Sequence, residues 1–209
     1  RPVAASFLRF AEFPGGNKYK GFTIYWDLAT IIRQIGVVPE GFLSEKASIP
    51  ASHQLEVKTT SKQPLAKSLQ DVLDAVNDHD LEHATSIQTD DFVSEDEAAA
   101  AAGLHPSPLF GREAYKTFCV SIFMLAFPDV KLTVVRNVIE GNTVATEGIF
   151  EGTHKGDFMG IPGTGKRIAV PFGQVSEFKD GKYDKLRLYW DLATIVRQIG
   201  VVPEGFFPG

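Results

Sequence analysis

The chain has 209 residues, 44% of them hydrophobic, and a net charge of −5 from 21 basic and 26 acidic side chains. That length and apolar content suffice for a real core, and the acidic balance excludes a general nucleic-acid or membrane-surface binder, which needs a cationic field. Cys119 is the single cysteine, so no intrachain disulfide is possible; with no long apolar run and no charged-then-apolar leader, a soluble cytoplasmic protein is expected.

Residues 1–26 read as two apolar strands around the turn Pro14-Gly15-Gly16-Asn17, with Phe22, Ile24 and Trp26 on one face of the second. The spacing of Leu28, Ile31, Ile32 and Ile35 then predicts a short helix, closed by Gly36 and followed by Pro39. Residues 43–64, rich in Ser, Thr and Lys, read as a linker. From 64 to 80, Leu65, Leu69, Val72, Leu73 and Val76 share one stripe and predict a helix, followed by a shorter one from Leu81 to Ile87.

The acidic, alanine-rich "SEDEAAAAAGLHPSP" (94–108) ends in a Pro-bracketed loop. A helix is predicted from Arg112 to Phe127, stopped by Pro128. Alternating strands follow at Val130–Ile139 and Thr143–Thr153, joined through Glu140-Gly141-Asn142. A further strand from Arg167 to Phe178 turns at Lys179-Asp180-Gly181-Lys182 into one that places Leu186, Leu188 and Trp190 on one face. A last helix begins at Leu192. Helices in front of an antiparallel meander describe an α+β fold in which a curved antiparallel sheet wraps around N-terminal helices, with an extra N-terminal hairpin and short helix.

One phrase occurs twice. "YWDLATIIRQIGVVPEGF" (25–42) returns as "YWDLATIVRQIGVVPEGF" (189–206), Ile32 becoming Val196. Upstream, "RPVAASFLRFAEFPGGNKYKGFTIYWD" runs parallel to "KRIAVPFGQVSEFKDGKYDKLRLYWD", with one extra residue near Gly15-Gly16. The first copy lacks the helices and strands that precede the second. It is therefore expected to be the tail of a unit, residues 1–42, ahead of a complete unit over 65–209. A hairpin and one short helix cannot stand alone in water, so residues 1–42 must pack on something.

Several residues admit two readings. Asp191, directly before an apolar-periodic helix, is a preferred N-cap with Thr194 three residues on. Tyr115, Phe118 and Ile122 share a helical face and form core with a pocket edge, while Phe118, Phe123, Phe127, Phe150 and Phe158 are candidates to line a ligand cavity. "GIPGTGKR" (160–167) nearly satisfies the phosphate-loop pattern, but Arg167 holds the Ser/Thr position and a strand follows where a helix is required. It reads instead as a tight Gly-Pro loop over a pocket. No two of His53, His79, His83, His105 and His154 have zinc-ligand spacing.

From about Leu65 onward, "GREAYKTF", "AFPDVKLTV", "EGNTVAT", "FEGTHKGDFMGIPGTGKRI", "FKDGKY" and "YWDLATIVRQIG" occur in the order and spacing that resemble the SnoaL-like polyketide cyclase family. The resemblance implies the cone-shaped fold of nuclear transport factor-type proteins, with an apolar pocket between sheet and helices. It implies chemistry without metal or cofactor on a small apolar carbonyl-containing metabolite of secondary metabolism, of cyclase or isomerase type, or else a non-catalytic ligand-binding or assembly module. It also implies a dimer or an intramolecular pseudo-dimer through sheet faces. By the same resemblance Asp191 is the acid/base and Trp190 lines the pocket. A His often accompanies that Asp on the neighbouring strand; this chain has none there, and Glu177 is the best ionisable substitute, with Glu147 comparable. His105 and His154 fall in loops that the family places near the pocket mouth.

Overall fold

The computed structural model describes residues 7–12, 21–26, 64–101 and 105–201. The helix expected after Trp26, Asp27, the turn at 14–17, His53 and the linker up to residue 63 lie outside the described residues.

Strands β1 (Phe7–Glu12) and β2 (Gly21–Trp26) pair antiparallel as a separate two-stranded sheet. Helix α1 (Pro64–Asn77) opens on a proline, whose missing N–H costs nothing in a first turn. Ala66, Leu69, Val72, Leu73 and Val76 recur at helical spacing and are buried as one stripe. At its end the Asn77 amide donates to the Leu132 carbonyl (2.9 Å) and accepts the Leu132 N–H (2.7 Å), tying the helix to the sheet. Helix α2 (Leu81–Ser86) is capped by Asp80, whose carboxylate accepts the His83 N–H.

Then come β3 (Gln88–Glu95), α3 (Glu97–Ala101), the two-residue β4 (Leu109–Phe110) and α4 (Arg112–Cys119). The single helix expected over 112–127 changes character: from Val120 to Ala126 it continues as a π-helix. A π turn holds more residues than an α turn, and so brings Phe123 round toward the buried side already occupied by Phe118 and Ile122. Four long strands complete the sheet: β5 (Lys131–Glu140), β6 (Thr143–Thr153), β7 (Arg167–Lys179) and β8 (Lys182–Trp190), followed by α5 (Leu192–Gln198).

The sheet order is β4-β3-β8-β7-β6-β5. All neighbours are antiparallel except β3 and β8, which run parallel, so the sheet is mixed where an antiparallel meander was expected. Register shifts between Val134 and Arg136 and between Glu177 and Phe178 bend the long strands, and the sheet curves without closing. Alternation turns Phe172, Gln174, Ser176 and Phe178 of β7 to the concave side, where they meet Leu186 and Trp190 of β8 and the buried stripes of α1 and α4.

The first hairpin repeats the pairing of the last. Phe7 faces Trp26 as Phe172 faces Trp190, Arg9 faces Ile24 as Gln174 faces Leu188, and Glu12 faces Gly21 as Glu177 faces Lys185.

Candidate functional site

Between the concave face and the helices lies a cavity with about 420 Å³ of atom-free space, counted out to its mouth. Helices α1 and α4 contribute Leu73, Val76, Tyr115 and Phe118, and the π-helix adds Phe123. The sheet contributes Leu132, Phe150, Phe172, Gln174, Leu186, Leu188 and Trp190. Phe172 lies flat against β6 because residue 148 is glycine: a Cβ there would sit 2.4 Å from two atoms of the Phe172 ring. Tyr115 is held well above the usual tyrosine pKa by burial, with the Cys119 thiol and Tyr183 adding to it. It therefore faces the cavity as a neutral phenol. Burial likewise pushes Cys119 up to about 12, so its thiol is not a nucleophile at neutral pH.

The polar interruption of this wall is Gln174. Its amide donates to the Ser176 hydroxyl (3.1 Å), which shares a second hydrogen bond with the Tyr183 phenol (3.1 Å). Ser176 and Tyr183 are fully buried. Beside Tyr183 in the β3–β8 pairing stands Gln88, also fully buried, whose amide nitrogen and oxygen have no hydrogen-bond partner among the described residues.

A second polar cluster lies directly behind the wall. Asp96, 1% exposed, follows β3 and caps α3: one carboxylate oxygen accepts the Ala99 N–H (2.9 Å), the other the indole N–H of Trp190 (2.6 Å). The Asp96 N–H in turn donates to the Ser107 hydroxyl (3.0 Å). His105 Nε2 stands 3.8 Å from the oxygen that Trp190 uses, an ion-pair distance and too long for a hydrogen bond. His105 Nδ1 lies 2.6 Å from the Pro106 carbonyl, which can only accept, so Nδ1 carries a proton. A neutral ring would then aim its Nε2 lone pair at a carboxylate; protonation removes that conflict. Burial lowers the His105 pKa, yet the Asp96 carboxylate and the Pro106 carbonyl together outweigh it and hold the ring above the ordinary histidine value. The imidazole packs edge-on against Phe118 at 4.7 Å, so this pair touches two cavity walls, Phe118 and Trp190, from behind.

Of the residues singled out from sequence, Tyr115, Phe118, Phe123, Phe150 and Trp190 line the cavity. Others lie elsewhere: Phe127 is buried core, and Glu147, also buried, pairs with Arg136 Nε at 2.6 Å. Ile122 and Phe158 are buried core, Phe158 packing on Phe127 and closing the 154–166 loop through a bridge to Ile161. Glu177 is exposed: β7 alternation gives the concave side to Ser176 and Phe178 and turns Glu177 outward, opposite Lys185. His154 is completely buried beside Phe127, where its Nδ1 accepts the Thr164 N–H (3.3 Å). Burial lowers its pKa, which Asp157 and nearby backbone only partly offset, and it holds the loop together away from the cavity wall. Asp191 caps α5, accepting the Thr194 N–H (2.9 Å) on one oxygen and the Thr194 hydroxyl (2.5 Å) on the other. Among the described residues, no group of three or more His, Cys, Asp or Glu could hold a metal ion, and no helix is long and apolar enough to cross a membrane.

The family model described as SnoaL-like polyketide cyclase matches residues 67–199, the stretch that builds this sheet, its helices and the cavity. The chain belongs to that family. Solved structures agree. IdmH from Streptomyces antibioticus, a proposed polyketide cyclase, is 28% identical at a TM-score of 0.54, over 66% of this chain and 99% of that one. A proposed SnoaL-like polyketide cyclase from Jannaschia sp. CCS1 shares 20% identity and a TM-score of 0.58, over 67% and 94% of the two chains. A protein of ketosteroid isomerase-like fold from Catenulispora acidiphila DSM 44928, in complex with trimethylamine, shares 17% identity and a TM-score of 0.54, over 68% and 98%. No curated protein matches the chain.

Within this SnoaL-like cone, the polar groups that sequence reading passed over are Asp96 and, as a wall residue, Gln174. Asp96 stood inside an acidic, alanine-rich run that resembles a solvated helix start. Its role appears only when β3 and β8 pair and bring Trp190 to it from 94 residues away. Gln174 was visible as a polar residue on an apolar strand, but its inward face follows from the sheet and not from alternation alone.

Proposed function

We propose that this SnoaL-like chain is a cofactor-independent enzyme of cyclase or isomerase type, acting on a small apolar metabolite that carries a carbonyl group. The observation that carries the reading is an apolar cavity whose wall residue Trp190 is hydrogen-bonded to a buried carboxylate outside the lining, Asp96, which is paired with His105. Asp191, the acid/base expected from the family resemblance, has both oxygens engaged by Thr194; of the two Asp96 oxygens, one accepts the Ala99 N–H and the other is joined to the cavity wall by the Trp190 indole N–H. In this reading the Trp190 indole turns aside as the ligand enters. The carboxylate of Asp96 then takes a proton from the carbon beside the carbonyl, and the electron pair moves onto the carbonyl oxygen. The enolate carbon bonds to a second carbonyl of the same molecule, and the resulting alkoxide recovers the proton. Nothing is oxidised or reduced, and no co-reactant is required.

A second reading, a non-catalytic small-ligand-binding module, is favoured by one observation: among the described residues, no carboxylate or imidazole lines the cavity. Turnover of a panel of apolar ketones, β-keto esters and epoxides separates the two. Wild-type turnover that is abolished in Asp96→Asn and retained in Asp191→Asn supports the enzymatic reading with Asp96 as its acid/base. Loss in Asp191→Asn alone, with binding and melting temperature retained, returns the role to Asp191. Binding without turnover of any compound supports the module.

A further inference from the structure

The file of hydrogen bonds from Gln174 inward has a property that neither the wall nor the core requires. The Gln174 amide has two N–H groups and one carbonyl oxygen. One N–H goes to Ser176, and no other protein partner of the amide occurs among the described residues. Its remaining capacity therefore faces the cavity, in a wall whose other sheet residues are Leu132, Phe150, Phe172, Leu186, Leu188 and Trp190. Behind it, Ser176 and Tyr183 are hydroxyls, each able to donate or accept, and burial holds Tyr183 above the usual tyrosine pKa, so that it keeps its proton. Such a chain works in either direction. With the amide nitrogen toward Ser176, Gln174 offers a ligand an N–H and a carbonyl oxygen; with the amide turned over, Ser176 donates to it and both N–H groups are free. The same residue can thus meet a ligand oxygen that accepts, as in a ketone, or one that donates, as in an enol or phenol.

We infer that Gln174, backed by Ser176 and Tyr183, is the oxygen-recognising and specificity-determining group of the cavity, selecting apolar ring compounds with one carbonyl or hydroxyl oxygen over hydrocarbons of the same shape. The inference rests on the cavity being the ligand site of the proposed function, but not on any turnover there. A hydrocarbon placed against Gln174 strips its amide of water and returns no hydrogen bond, whereas an oxygen at that point restores one. Physical discrimination of this kind comes from the group left unpaired.

Isothermal titration of the full chain with 1-tetralone, with 5,6,7,8-tetrahydro-1-naphthol and with tetralin measures it directly. Both oxygenated probes are expected to bind about five- to tenfold more tightly than tetralin. In Gln174→Met, which keeps the length of the side chain, the preference falls to within about twofold while the tetralin affinity is retained. Should Gln174→Met not fold, Ser176→Ala, which frees the amide from its backing, is expected to cut the preference at least about twofold. Equal binding of the three probes to the wild-type chain, binding of none, or a preference that survives Gln174→Met overturns the inference. A wild-type preference that is lost in Gln174→Met, with no turnover of any ketone, sinks only the enzymatic reading.

Discussion

Trp190 donates its indole N–H to Asp96 at 2.6 Å, joining the end of the last strand to the N-terminus of α3 through a carboxylate that is 1% exposed. The same carboxylate caps α3 at the Ala99 N–H, so its removal strands two donors at once. Asp96→Ala is expected to cost about 2–4 kcal/mol, combining a lost cap with a buried unpartnered indole N–H. Asp191→Ala loses a half-buried cap, and about 1 kcal/mol is expected. Urea denaturation of the two variants side by side checks this; equal losses would mean that the Trp190 hydrogen bond contributes little.

His105 and His154 predict opposite pH dependences. His105 has its pKa raised, so its contribution to stability is fully present below the unfolded value near 6.5 and is lost as pH rises through the folded one. His154 has its pKa lowered, so its contribution is present above that value and lost as pH falls through the folded one. The groups facing them differ accordingly: the Asp96 carboxylate beside His105, and Thr164, Phe127 and Phe158 beside His154. Relative to wild type, His105→Phe should lose more stability at about pH 5 than at about pH 8, and His154→Phe the reverse. Denaturation midpoints across that range decide it, and parallel curves for the two variants would contradict both assignments.

Gly148→Ala tests the shape of the cavity wall. The new methyl would meet the Phe172 ring at 2.4 Å and the Thr133 carbonyl oxygen at 2.9 Å, and a backbone oxygen cannot move as a side chain can. Phe172 must then swing into the cavity. A loss of about 1–3 kcal/mol is expected from overpacking, together with weaker binding of 1-tetralone. Unchanged affinity with reduced stability would mean that Phe172 moves away from the cavity instead.

How much of this was legible in the sequence depended on whether the signal was local. Helix α1 and strands β5 to β8 were readable because each carries its own period, 3.6 or 2, over ten residues or so. Asp191 as a cap needed only the residues next to it. Strand β3 was not readable: "QTDDFVSE" carries two exposed aspartates, Asp90 and Asp91, and is held in the sheet by its parallel neighbour β8, far along the chain. The Asp96–His105–Trp190 cluster depends on that same pairing, so it was hidden for the same reason. The π-helix at 120–126 was concealed differently, since an apolar stretch this dense fits α and π periods equally well.

Strands β1 and β2 supply the last test. Their register duplicates that of β7 and β8, as the repeated sequence implies. A two-stranded sheet is marginal in water by itself. Cα atoms of β2 come within 8 Å of those of β8. β8 is bordered by β7 and, as far as Arg187, by β3, and its inner face belongs to Leu186 and Trp190; an approach of β2 over the outer side would meet Arg187 and Tyr189. Docking there would supply burial that a two-stranded sheet lacks by itself. Hydrogen exchange across residues 7–26 is therefore expected to be slowed in the wild-type chain, and faster in Tyr189→Asp, with exchange in β5 and β6 unchanged. Exchange at the unprotected rate across 7–26 in the wild-type chain would show that the hairpin gains nothing from β8.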